Sequence, residues 1–117
     1  MYKIKKEFHF CASHKLEGLA EDHPCSNLHG HNYIIEVVLT SRVLDKVGMI
    51  VDYRELDRIK KYIDIVLDHT HLNDIFDFNP TAENIAEHLF FRFKGWYGQV
   101  SAVSVKETPK TSATYYA

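Results

Sequence analysis

His29-Gly30-His31-Asn32-Tyr33-Ile34-Ile35-Glu36-Val37-Val38-Leu39-Thr40 is the stretch from which the fold can be read. Its cluster of Ile34, Ile35, Val37 and Val38 favours an extended chain over a helix. Alternate side chains of a strand share a face, so His29, His31, Tyr33, Ile35, Val37 and Leu39 point the same way. A strand over residues 29–42 is predicted, apolar along most of one face and ending in two imidazoles. Upstream, residues 2–12 alternate as well, with Phe8, Phe10 and Ala12 on one face and His9 and Cys11 on the other. Residues 13–28 hold Gly18, Pro24 and many polar groups. They read as a loop longer than most structureless connections, and such loops often carry function.

Downstream, a turn is expected around Asp45–Gly48. Asp52 followed by Glu55 forms a capping-box pattern, and Leu56, Ile59, Ile63, Val66 and Leu67 recur at helical spacing, which predicts a helix over 53–67. Residues 68–80 are polar and irregular. A second helix is predicted from Pro80–Thr81 to about Lys94, with Ile85, Leu89 and Phe93 as its buried stripe. Ala82 and Ala86 allow close packing, and Gly95 and Gly98 end it. A third strand is predicted over Val100–Glu107 and a short fourth over 111–117, after Pro109. The order is ββααββ. Strands joined pairwise around central helices imply an α+β fold, a four-stranded antiparallel sheet with both helices on one face.

The 117 residues suit a single domain, 1–117, that buries only about two-thirds of its unfolded surface. A chain this small often builds its site between subunits. A net charge of −2 without a basic block argues against nucleic acid as a partner, although a local pocket can still be positive. No apolar run approaches the roughly 20 residues of a membrane span, and MYKIKKEFHF is not a signal peptide, so a cytoplasmic location is expected. In that setting Cys11 and Cys25 are expected to be reduced. The eight histidines are the compositional anomaly.

His29 and His31, at positions i and i+2 of a strand, present both rings to one side, and Gly30 between them leaves the other side open. His14 lies just past the predicted first strand. If the two strands form a hairpin, His14 joins His29 and His31 in a three-imidazole site with an open fourth position, the catalytic rather than the structural arrangement of zinc. The same rings would serve as ordinary strand-end histidines, and spacing alone leaves both readings open. Cys25, four residues before His29, reads as a fourth ligand that closes the site, as a thiolate base, or as a plain loop cysteine. Asp68-His69 is a candidate acid–base pair, with His71 as a nearby competitor. Glu107 ends the third strand, where a carboxylate can accept two hydrogen bonds from a flat heterocycle's edge. Thr81 and Glu83 read as helix-start residues, and His9, His23 and His88 carry no functional claim.

Five segments taken together resemble the 6-pyruvoyltetrahydropterin synthase / 6-carboxytetrahydropterin synthase family. They are F-x-F-x-A-x-H at Phe8–His14, C-S-N-L-H-G-H-N-Y at Cys25–Tyr33, L-D-H at Leu67–His69, P-T-A-E-N at Pro80–Asn84 and V-K-E at Val105–Glu107. They follow the family's order and extend over nearly the whole chain. The resemblance implies the tunnelling fold and a Zn²⁺ ion held by His14, His29 and His31. It further implies Cys25 as the proton-abstracting thiol, Asp68 and His69 as a relay with it, and Glu107 as the anchor of a pterin. It also implies a homohexamer, a dimer of trimers with sites at subunit interfaces.

Two activities in such a family start from the small-molecule substrate 7,8-dihydroneopterin triphosphate and expel triphosphate. One yields 6-pyruvoyltetrahydropterin. The other loses acetaldehyde and yields 6-carboxy-5,6,7,8-tetrahydropterin, a precursor of 7-deazaguanine nucleosides such as queuosine. The short C-x-x-x-H-G-H spacing resembles the carboxy branch, and the loop lacks the glutamate of a third variant. A zinc-dependent pterin-binding module without turnover is the non-enzyme alternative. A zinc hydrolase is disfavoured because no carboxylate stands beside the histidines as a general base. For the triphosphate, Lys3, Lys5, Lys6, Lys15, Lys106 and Lys110 are candidates.

Overall fold

The two long strands pair along their whole length. In the computed structural model, which describes residues 1–117, β1 (Tyr2–His14) runs antiparallel to β2 (His29–Ser41). The register is unbroken, from Tyr2 opposite Ser41 to His14 opposite His29. Phe10 and Tyr33 face each other and stack at 4.8 Å. The first strand thus runs two residues beyond the predicted 2–12 and takes in His14.

β2 also pairs with β4 (Val100–Lys106), and β4 pairs with β5 (Ala113–Tyr116), both antiparallel. The expected sheet had four antiparallel strands. The structure adds a fifth, β3 (Thr70–His71), parallel to β1 at Ala12 and Ser13, so the sheet is mixed with order β3-β1-β2-β4-β5. Two residues are too few to show an alternating pattern. What creates β3 is His69: its left-handed backbone (φ 59) turns the chain, and its N–H donates to the Cys11 carbonyl. A non-glycine residue held in that region carries strain that the surrounding contacts must offset.

The predicted 53–67 helix is present in three pieces. Asp52 accepts from the Arg54 N–H and starts a 3₁₀ turn over Tyr53–Leu56. α1 (Asp57–Tyr62) follows, and Ile63–Leu67 widen into a π turn closed by the Asp68 N–H on the Ile63 carbonyl. The stretch expected to be irregular contains α2 (Leu72–Ile75) as well as β3. α3 (Ala82–Trp96) is capped by Thr81, whose side chain accepts from the Asn84 N–H; it runs through Gly95 rather than stopping there.

The helices and one sheet face enclose a single apolar cluster. It takes Phe8 and Phe10 from β1, and Tyr33, Ile35, Val37 and Leu39 from β2. Ile59, Ile63, Ile85 and Leu89 come from the helices. Each such side chain contributes about 1.5–3 kcal/mol on burial. No helix is long and apolar enough to cross a membrane.

Candidate functional site

The β1–β2 register brings the three histidines together. His14 is opposite His29, and His31 is two residues further along the same face. One ring nitrogen from each lies within 4.8 Å of the others. His14 is fully buried. Its Nδ1 lies 2.8 Å from the Pro80 carbonyl, and His29 Nδ1 lies 2.7 Å from the Asn27 carbonyl. A carbonyl can only accept, so both Nδ1 atoms carry their proton and both Nε2 atoms are bare. These two Nε2 atoms approach to 2.9 Å, and the buried Nε2 of His31 makes no hydrogen bond, with Glu107 Oε2 at 3.5 Å. Two lone pairs at that distance repel, and an orphaned buried nitrogen costs about 1–3 kcal/mol. A cation between the three resolves both penalties. The residues therefore fit a metal ion, and the two carbonyls do what outer partners of metal-bound imidazoles do, fixing tautomer and orientation.

Electrostatics favour the ligating form. Burial lowers the pKa of His14, with the Pro80 carbonyl and Glu107 opposing and His29 and His71 assisting. Burial also lowers that of His31, against the pull of Glu107. The neutral rings that result are the ones a metal takes. Tyr33, with its hydroxyl 3.1 Å from His14 Nδ1, is held as a neutral phenol by burial and then by the Glu107 charge.

Glu107 directs Oε2 to within 3.5 Å of His31 Nε2. It also lines a cavity of about 410 Å³ together with Glu83, Thr111, Ser112 and Thr114. Glu83, read from sequence as a helix-start residue, thus shares that cavity.

Asp68 and His69 are in contact, with Asp68 Oδ2 2.9 Å from His69 Nδ1. The other oxygen, Oδ1, accepts the Cys11 N–H at 2.9 Å. That backbone bond, followed by His69, holds the Asp68 carboxyl below the ordinary aspartate range although burial opposes it. The His69 ring stands largely in solvent. A cavity of about 580 Å³ opens here, lined among others by Cys11, Ser13, His31, Asn32, His69 and His71. His69 and one member of the triad, His31, therefore line the same space.

Cys25 is not part of that lining. It sits in a 3₁₀ turn (Pro24–Ser26), half-buried, with its N–H on His23 Nδ1 and its carbonyl accepting from the Leu16 N–H. Both cysteines are free thiols. None of the six candidate lysines lines either cavity. His88 packs against the stacked rings of Phe76 and Phe78, a packing role.

Sequence reasoning missed the Pro80 and Asn27 carbonyls, which have no side-chain signature. It also missed Ser13 and Asn32, and it left Cys11 and His71 without roles. The alternation of β1 places Ser13 and Cys11 together on the face opposite His14, and that was the available signal.

A family profile described as 6-pyruvoyl tetrahydropterin synthase matches residues 3–117. The chain belongs to that family. As a tetrahydropterin synthase homologue it is 34% identical to a 6-carboxy-5,6,7,8-tetrahydropterin synthase of Rickettsia felis, covering 93% of this chain and 96% of the relative. It is 31% identical to the Haemophilus influenzae protein of the same name, covering 98% and 99%. The solved structure of Caenorhabditis elegans 6-pyruvoyl tetrahydropterin synthase superposes with a TM-score of 0.86 at 28% identity, over 99% of this chain and 95% of that one.

Proposed function

We propose that this tetrahydropterin synthase homologue is a zinc-dependent 6-carboxy-5,6,7,8-tetrahydropterin synthase, a lyase that takes 7,8-dihydroneopterin triphosphate and water to 6-carboxytetrahydropterin, acetaldehyde and triphosphate. The observation that carries it is the convergence of three ring nitrogens, two of them bare and one orphaned, with His31 lining a cavity that His69 also lines. An all-nitrogen donor set of three, with no thiolate among it, suits a zinc ion that keeps an open position.

Zinc bound there supplies a Lewis acid that polarises a substrate oxygen and acidifies the neighbouring C–H. Cys25, tethered by three residues to His29, takes that proton as thiolate. His69, oriented by Asp68, relays a proton to the substrate, and Glu107 accepts two hydrogen bonds from the amino-pyrimidinone edge of the pterin. The proposed assembly is a hexamer of two trimers with sites at subunit interfaces, which suits a chain whose own cavity leaves Cys25 outside its lining. The names of the bacterial relatives and the short Cys25–His29 loop support the carboxy outcome.

The test is to incubate the zinc-loaded protein with 7,8-dihydroneopterin triphosphate and trap aldehydes. Acetaldehyde and 6-carboxytetrahydropterin are expected in equal amounts. Triphosphate release with the pyruvoyl side chain retained would move the protein to the activity named for the C. elegans structure. Absence of triphosphate release would leave a pterin-binding module.

A further inference from the structure

His31 lines one cavity and lies 3.5 Å from Glu107, which lines another, and the two linings are opposite in chemistry. The one that Glu107 lines carries a second carboxylate, Glu83, and no cationic side chain. The one that His31 lines carries three imidazoles, His31, His69 and His71, and no carboxylate in its lining. Asp68, beside His69, is already committed through both oxygens, to the Cys11 N–H and to His69, and Glu107 faces His31 from the other cavity. A polyanion entering the first cavity meets like charge; entering the second, it meets hydrogen-bond donors.

Those donors are fixed by the backbone. The parallel pairing of β3 with β1 sets Ser13 opposite His71, and Ser13 Oγ lies 2.9 Å from His71 Nδ1. If Oγ–H donates to Nδ1, the proton of the neutral ring sits on Nε2. If Nδ1–H donates to Oγ, the hydroxyl proton is free. In either tautomer the pair has one uncommitted N–H or O–H. Asn32 accepts from the Cys11 thiol through Oδ1, which leaves its amide N–H₂ to donate. Thr70 contributes nothing here, because its hydroxyl is bound to the Leu67 carbonyl.

We propose that the Ser13–His71 pair, with Asn32, is the binding subsite for the triphosphate tail of the substrate, in the cavity that His31 and His69 also line. The proposal rests on the triphosphate-bearing substrate assigned above. It replaces the lysines as triphosphate ligands, since none of them reaches this cavity.

The test titrates two probes separately into the zinc-loaded protein: inorganic triphosphate, and 7,8-dihydroneopterin, which has no phosphate. His71→Ala is expected to weaken triphosphate about ten-fold or more, the scale of one charge-assisted hydrogen bond. It should change dihydroneopterin affinity by less than about two-fold. His71→Gln, which keeps an amide donor, should recover most of the loss, and Ser13→Ala should reproduce part of it. Zinc content is measured after each titration, because triphosphate also chelates metal. Equal triphosphate affinity in wild type and His71→Ala overturns the subsite. So does equal weakening of both probes, which would mark a structural role, or a triphosphate signal that follows zinc loss instead of the residue at 71. Wild type that binds dihydroneopterin but not triphosphate overturns the subsite and leaves the pterin site standing. Wild type that binds neither overturns it together with the proposed function.

Discussion

The two ends of the β1–β2 ladder obey one register and hold opposite chemistry. At one end Ile4 faces Leu39, beside an apolar groove lined by Tyr2, Leu44, Met49 and Ile50. At the other, roughly 33 Å away at the rise of a strand, His14 faces His29 on the same face of the sheet. Leu39 needs nothing but burial. Each imidazole needs a partner, and the partners come from loops: Asn27 just before β2, and Pro80 just before α3. In the middle of the sheet β2 is flanked by β1 and β4, so its carbonyls are committed to ladders on both sides. A polar cluster on the core face is therefore affordable only at an end, where loop carbonyls are free to turn toward it. Alternation decides which face a side chain takes, and the neighbouring loops decide whether a polar one can be tolerated there.

The largest expected effect tests the polar end directly. His29→Ala should reduce metal content from one ion per chain to near zero and abolish turnover, read by metal analysis on the purified protein. Full metal retention would mean that the convergence of His14 and His31 suffices without it. Next, Cys25→Ala should keep the metal and lose about 10²–10⁴ in rate, the usual cost of a missing general base. Loss of metal instead would make Cys25 a fourth ligand, and an unchanged rate would direct attention to Cys11.

The apolar end is tested by Leu39→Ala. Truncation there should cost about 2–5 kcal/mol of stability in a denaturant melt while metal content and pterin affinity stay as in wild type. Metal loss accompanying that change would show that the two ends are coupled and break the comparison. At the polar end again, Glu107→Gln should weaken pterin binding by about 1.5–3 kcal/mol per charge-assisted hydrogen bond lost, with metal content unaltered. Equal pterin affinity would return Glu107 to a strand-end carboxylate.

The smallest effect is electrostatic and lies at the apolar end. The Arg54 side chain and N–H hold the Asp52 carboxyl at about 2, below its ordinary value near 3.8. A carboxylate depressed in the folded state contributes stability above the unfolded pKa and loses it as pH falls through the folded one. Asp52→Asn keeps a capping side chain but removes the charge. The melting difference from wild type should therefore be present at neutral pH and vanish between about pH 4 and 2. A difference that persists at low pH would make it a capping effect and not a charge effect.

Much of this protein was readable from local order. Period 2 over residues 29–40 placed His29 and His31 on the core face, and the hairpin inferred from residues 2–12 brought His14 beside them. The helical spacing at 53–67 and 81–94 located both helical segments, and five motifs in order identified the family later matched over residues 3–117. What only the tertiary structure decided involves groups far apart in the chain or on the main chain. β3 exists because His69 turns the backbone onto Cys11. The His14 tautomer is set by a carbonyl 66 residues away, and Ser13 meets His71 across 58. The widened turn at Ile63–Leu67 and the pairing of Asp68 with the Cys11 N–H belong to the same class. The reason is physical. Side-chain periodicity is a local property that a sequence carries openly, whereas a carbonyl has no residue-type signature, and its partner is chosen only when the elements pack.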